Sequence, residues 1–102
     1  MSYENKILIS RSALKELKNI PKNERGAIKA KISKLAYFPL VRLDIKKLKG
    51  YHNVYRLRVG DYRIIFEYIK EERTIKILKV GKRESVYGSL INSSSLTSSR
   101  TN

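Results

Sequence analysis

Three arginines, Arg56, Arg58 and Arg63, flank the dipeptide Gly60-Asp61, and Arg83 and Tyr87 follow towards the end of the chain. Arginine has a planar fork that meets two phosphate oxygens at once, and it stays charged. Several arginines converging on one phosphodiester would hold it and stabilise the charge that develops on it, without a metal. RNA brings its own nucleophile, the 2′-hydroxyl, so such a set needs no activated water. A tyrosine beside it could stack on a base or take part in proton transfer. The plainer reading has equal weight on the hairpin alone: arginine at every second position is also what a solvated sheet face carries, and basic residues protect edge strands.

The elements that position these groups follow from local pattern. Val54 to Val59 and Tyr62 to Phe66 are β-rich runs around Gly60-Asp61, the chemistry of a two-residue hairpin loop. A two-residue loop sets Val59 opposite Tyr62, Arg58 opposite Arg63, Leu57 opposite Ile64 and Tyr55 opposite Phe66. Alternation then puts Tyr55, Leu57, Val59, Tyr62, Ile64, Phe66 and Tyr68 on one face, and Arg56, Arg58 and Arg63 on the other. Like charges directly across a ladder destabilise it. A folded surface that keeps them is expected to meet a polyanion.

Upstream, residues 3–9 read as a short strand. Ser10 or Ser12 caps a helix with Ala13, Leu14 and Leu17 at helical spacing, and Asn19-Ile20-Pro21 breaks it. A second helix over about 22–36 carries the stripe Ala27, Ile28, Ile32, Leu35 and Ala36, with Lys29, Lys31 and Lys34 on its solvated side. Residues 40–51, which include Lys46, Lys47 and Lys49, read as a loop with one buried anchor, Leu43 or Leu48. His52 reads as a turn residue. A polar turn at 70–73 leads to a last strand over 74–80, and Gly81 to Tyr87 closes the domain with a basic segment. Residues 1–88 form one domain; 89–102 are serine-rich, keep no apolar period and read as a disordered tail. The layout is α+β, in the order β-α-α-β-β-β: a small, mainly antiparallel sheet with the N-terminal helical hairpin on one face and the arginines on the open one.

Composition narrows the partners. The 102 residues hold 23 Lys+Arg against 9 Asp+Glu, a net charge of +14, which points to nucleic acid, an acidic protein or an anionic surface. A membrane is the weakest of these, since no apolar run is long enough to span one and the charge is not gathered on one amphipathic helix. With no cysteine and one histidine, thiolate and multi-histidine metal sites are excluded, and no metal or cofactor is expected. No glycine loop opens a helix, no nucleophilic triad is recognisable, and Asp61, Glu67 and Glu84 lack paired spacing. The first residues lack a signal-peptide pattern, so the reading is cytoplasmic.

The span Leu48-Lys49-Gly50-Tyr51-His52-Asn53-Val54-Tyr55-Arg56-Leu57-Arg58-Val59-Gly60-Asp61-Tyr62-Arg63-Ile64-Ile65-Phe66, with Ile77-Leu78-Lys79-Val80-Gly81-Lys82-Arg83-Glu84-Ser85-Val86-Tyr87, resembles the RelE branch of the RelE/ParE toxin superfamily. The resemblance covers residues 3–88. It implies a type II toxin, a ribosome-dependent endoribonuclease that cuts mRNA in the A site by 2′-hydroxyl attack and is neutralised by an acidic, RelB-like antitoxin. It assigns Arg58, Arg63, Arg83 and Tyr87 to catalysis and Arg56 to RNA binding; Lys47, Lys49 and Lys82, basic residues beside these, are read as RNA-binding too. Arg63 and Arg83 would stabilise the phosphate, with Arg83 also protonating the leaving oxygen, and Tyr87 would orient the codon. Where the family's best-described member has a lysine proposed as general base, this chain has Arg58, which gives up a proton very reluctantly. Tyr87, Asp61 and a ribosomal or substrate group stay open as the base. The rival readings are a ParE-like inhibitor of DNA gyrase and a non-catalytic basic domain that binds RNA.

Overall fold

The computed structural model describes residues 4–82. Its order is β1 (Lys6–Ile9), α1 (Arg11–Lys18), α2 (Lys22–Lys34), a 3₁₀ turn (Leu35–Tyr37), β2 (Ile45–Lys47), β3 (Val54–Val59), β4 (Tyr62–Ile69), a second 3₁₀ turn (Lys70–Glu72) and β5 (Thr74–Lys82). The five strands lie in the order β1-β5-β4-β3-β2; β1 runs parallel to β5 and the other pairs are antiparallel. The expected α+β layout holds, with one strand more than the order β-α-α-β-β-β.

That strand is β2, inside the segment read as a loop. Ile45-Lys46-Lys47 is too short and too polar to show a period, and its ladder to Leu57, Arg56 and Tyr55 is supplied by β3. Two exposed lysines on an edge strand also discourage a further strand from adding there. Both candidate anchors are used, on opposite faces of the sheet. Leu43 packs on the main core, while Leu48 packs with Tyr51 and Leu78 over Val54 and Ile65. The face expected to be open is therefore partly covered by a small apolar cluster.

The main core lies between helices and sheet. Ala13, Leu17, Ile28, Ile32 and Leu35 meet Leu57, Ile64, Phe66, Ile75 and Ile77, all 5% exposed or less. Each large apolar side chain buried in this way contributes about 1.5–3 kcal/mol. Phe38 sits edge-on to Tyr55, Phe66 and Tyr68, with ring centroids 4.9–5.4 Å away, and ties the end of the helical layer to the sheet.

Two polar residues join the layers. Ser10 caps α1, as expected: its hydroxyl accepts from the Ala13 N–H at 3.1 Å and donates to the Leu78 carbonyl at 3.1 Å. Leu78 is the extra residue where the β4–β5 register shifts between Ile65 and Phe66. Past Ile77, β5 no longer has β1 beside it, and the Val80 N–H donates instead to Glu16 Oε1 at 2.9 Å. At the other end, buried Asn5 donates through Nδ2 to the carbonyls of Leu35 and Phe38, at 3.2 and 2.8 Å.

Candidate functional site

The β3–β4 hairpin has the register read from its sequence. Val59 faces Tyr62, Arg58 faces Arg63, Leu57 faces Ile64 and Tyr55 faces Phe66. Gly60 takes φ +59 while Asp61 does not take a positive φ, the pattern of a type II′ turn with glycine first. All seven residues assigned to the packed face join the main core, four buried and three partly so. Arg56, Arg58 and Arg63 project from the other side.

The carboxylate that organises those arginines is Asp44, which sequence reading passed over. The Arg58 N–H donates to the Asp44 carbonyl at 2.9 Å, extending the β2–β3 ladder by one residue. Asp44 and Lys46 thereby share the face of Arg56 and Arg58. Arg56 Nη2 bonds Asp44 Oδ1 at 2.8 Å, and Arg58 Nε lies 3.8 Å from Oδ2. Arg56 corrects the open-face expectation: its side chain is only 16% exposed, and its Nε is buried with no hydrogen-bond acceptor among the described residues. Arg58 and Asp44 are each 54% exposed. Arg63 folds back on its own turn, with Nη1 3.3 Å from the carbonyls of Gly60 and Tyr62. The two opposed cations on the ladder are thus drawn to different partners, which relieves their repulsion.

Two basic clefts flank this group. One, of about 480 Å³, is lined by Lys46, Lys47, Leu48, Lys49 and Arg56. The other, of about 450 Å³, is lined by Lys31, Arg42, Leu43, Asp44 and Arg58. The fold thus brings Lys49 and Arg56 together as expected, with Arg58 two positions on and Arg63 across the ladder from it; Lys47 lines the same cleft but stands opposite Tyr55, so alternation turns it towards the packed side. Lys31, read as a solvated helix lysine, shares a cleft with Arg58 because α2 ends its third turn over that edge of the sheet. Lys82 is not brought there. It pairs in register with Tyr62 and holds Nζ 5.7 Å from that ring, on the helix-covered side and three strands from β2. Alternation decides this, since Tyr62 points into the core. Asp61 lines a separate cleft with Glu24, Ile28 and Tyr62. His52 is exposed in a turn, as read. Arg83, Tyr87 and the serine-rich tail lie outside the described residues.

Tyr62 is the hydroxyl whose titration the surroundings change nearest the hairpin turn. Burial, with a hydrogen bond donated to Glu24 Oε1 at 3.0 Å, pushes its pKa above the usual tyrosine value. Among the described residues, no helix is long and apolar enough to cross a membrane.

Comparison with known proteins gives a consistent picture. A family model described as the ParE toxin of type II toxin–antitoxin systems matches residues 7–87. Toxin RelE3 of Methanocaldococcus jannaschii is 41% identical over 85 residues, which span 80% of this chain and 94% of that protein. The mRNA interferase toxin RelE of Escherichia coli is 32% identical over 74 residues, spanning 71% of this chain and 76% of that one. Among solved structures, the archaeal RelE–RelB complex from Pyrococcus horikoshii aligns with a TM-score of 0.69 at 32% identity, over 78% of this chain and 96% of the other. The RelB–RelE antitoxin–toxin complex from Methanococcus jannaschii aligns with a TM-score of 0.66 at 38% identity, over 80% and 96%.

Proposed function

The chain belongs to the ParE/RelE family of type II toxin–antitoxin toxins, and among these to the RelE type; from that premise we propose that it is an endoribonuclease that cuts mRNA in the ribosomal A site. The observation that carries this reading is the cluster of Arg56, Arg58 and Arg63 on one sheet face, flanked by two open basic clefts. The E. coli relative named an mRNA interferase supports the same reading.

In the proposed reaction the RNA 2′-hydroxyl passes its proton to a base supplied by Tyr87, the ribosome or the substrate, its oxygen attacks the adjacent phosphorus, the P–O5′ bond breaks, and a 2′,3′-cyclic phosphate is left. Arg58 and Arg63 hold the phosphate and stabilise its developing charge, each as a positioned donor in a site where a single such donor is worth about 10²–10³ in rate. Arg83 shares the phosphate and protonates the 5′-oxygen, and Tyr87 orients the codon. Arg56, Lys47 and Lys49 bind the flanking backbone. Lys82, on the helix-covered side, has no place in this track. No cofactor is invoked. The site works in the cytoplasm, and its antagonist is an acidic antitoxin; the archaeal relatives are solved as complexes with RelB. A partner that orders on binding suits so basic a surface.

The test is cleavage mapping of mRNA on translating ribosomes with the native chain, Arg83→Ala and Tyr87→Ala. Codon-phased cuts that disappear in Arg83→Ala are expected. The ParE description of the matching model keeps gyrase as the second reading. Absence of cuts, together with inhibited supercoiling by gyrase, would replace the first reading with the second.

A further inference from the structure

Asp44 has no role in the reaction just described, yet it holds both arginines of β3. We propose that its carboxylate occupies the phosphate subsite itself: it sits where a phosphodiester binds Arg56 and Arg58, and RNA docks by displacing it. The proposal rests on the RNA reading above and adds to it the subsite and its built-in competitor.

Four observations carry it. The carboxylate directs one oxygen to each arginine, Oδ1 to Arg56 and Oδ2 to Arg58. A phosphodiester, with two non-bridging oxygens and the same single charge, has that arrangement too. The hold is incomplete. Arg56 donates one hydrogen bond to Asp44, at 2.8 Å, while its buried Nε has no acceptor among the described residues, and the Arg58 contact is loose at 3.8 Å. Arginine forks favour paired bonds to phosphate, so an oxyanion that also reached Nε would hold Arg56 better than Asp44 does.

Leaving is also easy. Asp44 is more than half exposed, and exposed ion pairs are weak and screened by salt. Its backbone stays in the ladder through the Arg58 N–H, so only the side chain has to turn into solvent. Finally, among the described residues Asp44 is the single carboxylate lining either basic cleft. With it turned away, Lys31, Arg42, Arg58, Arg56, Lys46 and Lys49 form an uninterrupted basic track, in which the phosphates on either side of the first have cations to meet. A lone phosphate has to displace Asp44 for one site, whereas a strand gains the clefts as well.

The experiment compares the full chain with Asp44→Asn, Asp44→Glu and, as a control with the same change in net charge in the cleft of Glu24 and Tyr62, apart from Arg56 and Arg58, Asp61→Asn. Two probes are titrated: inorganic phosphate, followed through the Arg56 and Arg58 Nε–H resonances, and a short single-stranded RNA blocked by 2′-O-methyl groups. Asp44→Asn is expected to bind both probes about two- to tenfold tighter than the native chain, and Asp61→Asn to gain less. The slope of log affinity against log salt should steepen for Asp44→Asn by about 0.7 for each further phosphate neutralised. Asp44→Glu, which keeps the charge, should bind no tighter than the native chain. Equal gains in Asp44→Asn and Asp61→Asn, no gain in Asp44→Asn, or a gain in Asp44→Glu would each overturn the displacement. If no protein binds the free RNA while the phosphate ranking holds, the subsite stands and the displacement by RNA falls; the nuclease reading is decided separately, by the cleavage mapping on translating ribosomes. If RNA is bound equally by all, the displacement falls and the nuclease reading is untouched.

Discussion

Arg63→Gln is the substitution that best separates what the hairpin does for folding from what it does for function. Arg63 stands directly opposite Arg58 on the β3–β4 ladder. Two unit charges no closer together than the ~5–6 Å spacing of residues opposite on a ladder would repel by about 0.7 kcal/mol in a water-like medium, an upper bound that physiological salt roughly halves. Against this, Arg63 makes two long contacts, both at 3.3 Å, to the carbonyls of its own turn. Being at the surface, these are worth a few tenths of a kcal/mol at most, below the usual ~1 kcal/mol of a hydrogen bond. The neighbouring charge is already partly balanced, since Asp44 Oδ2 lies 3.8 Å from Arg58 Nε. Removing the Arg63 charge while keeping a polar side chain of similar length should therefore leave stability unchanged or raise it by up to about 0.5 kcal/mol, a shift of about 2–4 °C in Tm. Cleavage on translating ribosomes should fall by about 10²–10³, the loss of one donor to the developing phosphate charge. Urea and thermal denaturation measure the first quantity, and single-turnover cleavage of mRNA the second. A destabilisation of more than about 1 kcal/mol would mean that Arg63 is kept for the fold. Undiminished cleavage in a protein that does cut would remove Arg63 from the site. Either result refutes the argument that the like-charged pair is retained for a ligand.

Two further outcomes follow from the same structure. Phe66 is fully buried, stacked on Tyr55 at 5.4 Å and edge-on to Phe38 at 5.4 Å, so Phe66→Ala should cost about 3–5 kcal/mol in urea denaturation; Leu8→Ala, at a side chain 45% exposed, should cost under about 0.5 kcal/mol, and equal costs would contradict the assigned core. Tyr62 has a raised pKa in the folded state, from burial and the bond to Glu24, so its contribution is complete below the unfolded tyrosine value of about 10 and is lost as pH rises through the folded value. The stability gap between the native chain and Tyr62→Phe should accordingly narrow in thermal denaturation on the alkaline side of about pH 10, and a gap that stays constant to the alkaline limit would show that the Glu24 bond does not couple to titration.

What the sequence determined by itself is whatever local chemistry decides. Glycine and a small polar residue between two β-rich runs define the hairpin register, and a period of two then sorts seven apolar side chains from three arginines. Ser10 and Pro21 mark helix boundaries through capping and the geometry imposed on the preceding residue. The charge imbalance pointed to a nucleic acid, an acidic protein or an anionic surface without choosing among them. Tertiary structure decided the rest, because it depends on neighbours far apart in the chain. Ile45-Lys46-Lys47 is a strand only because β3 offers it a ladder, and that ladder is what carries Asp44 to Arg56 and Arg58, 12 and 14 positions on. The same packing brings Lys31 of α2 into a cleft with Arg58 and puts Lys82 on the covered side of the sheet. A run such as Asp44-Ile45-Lys46-Lys47 has no period to read, so the carboxylate of Asp44, which engages the arginines of β3, could be seen only once the sheet had formed.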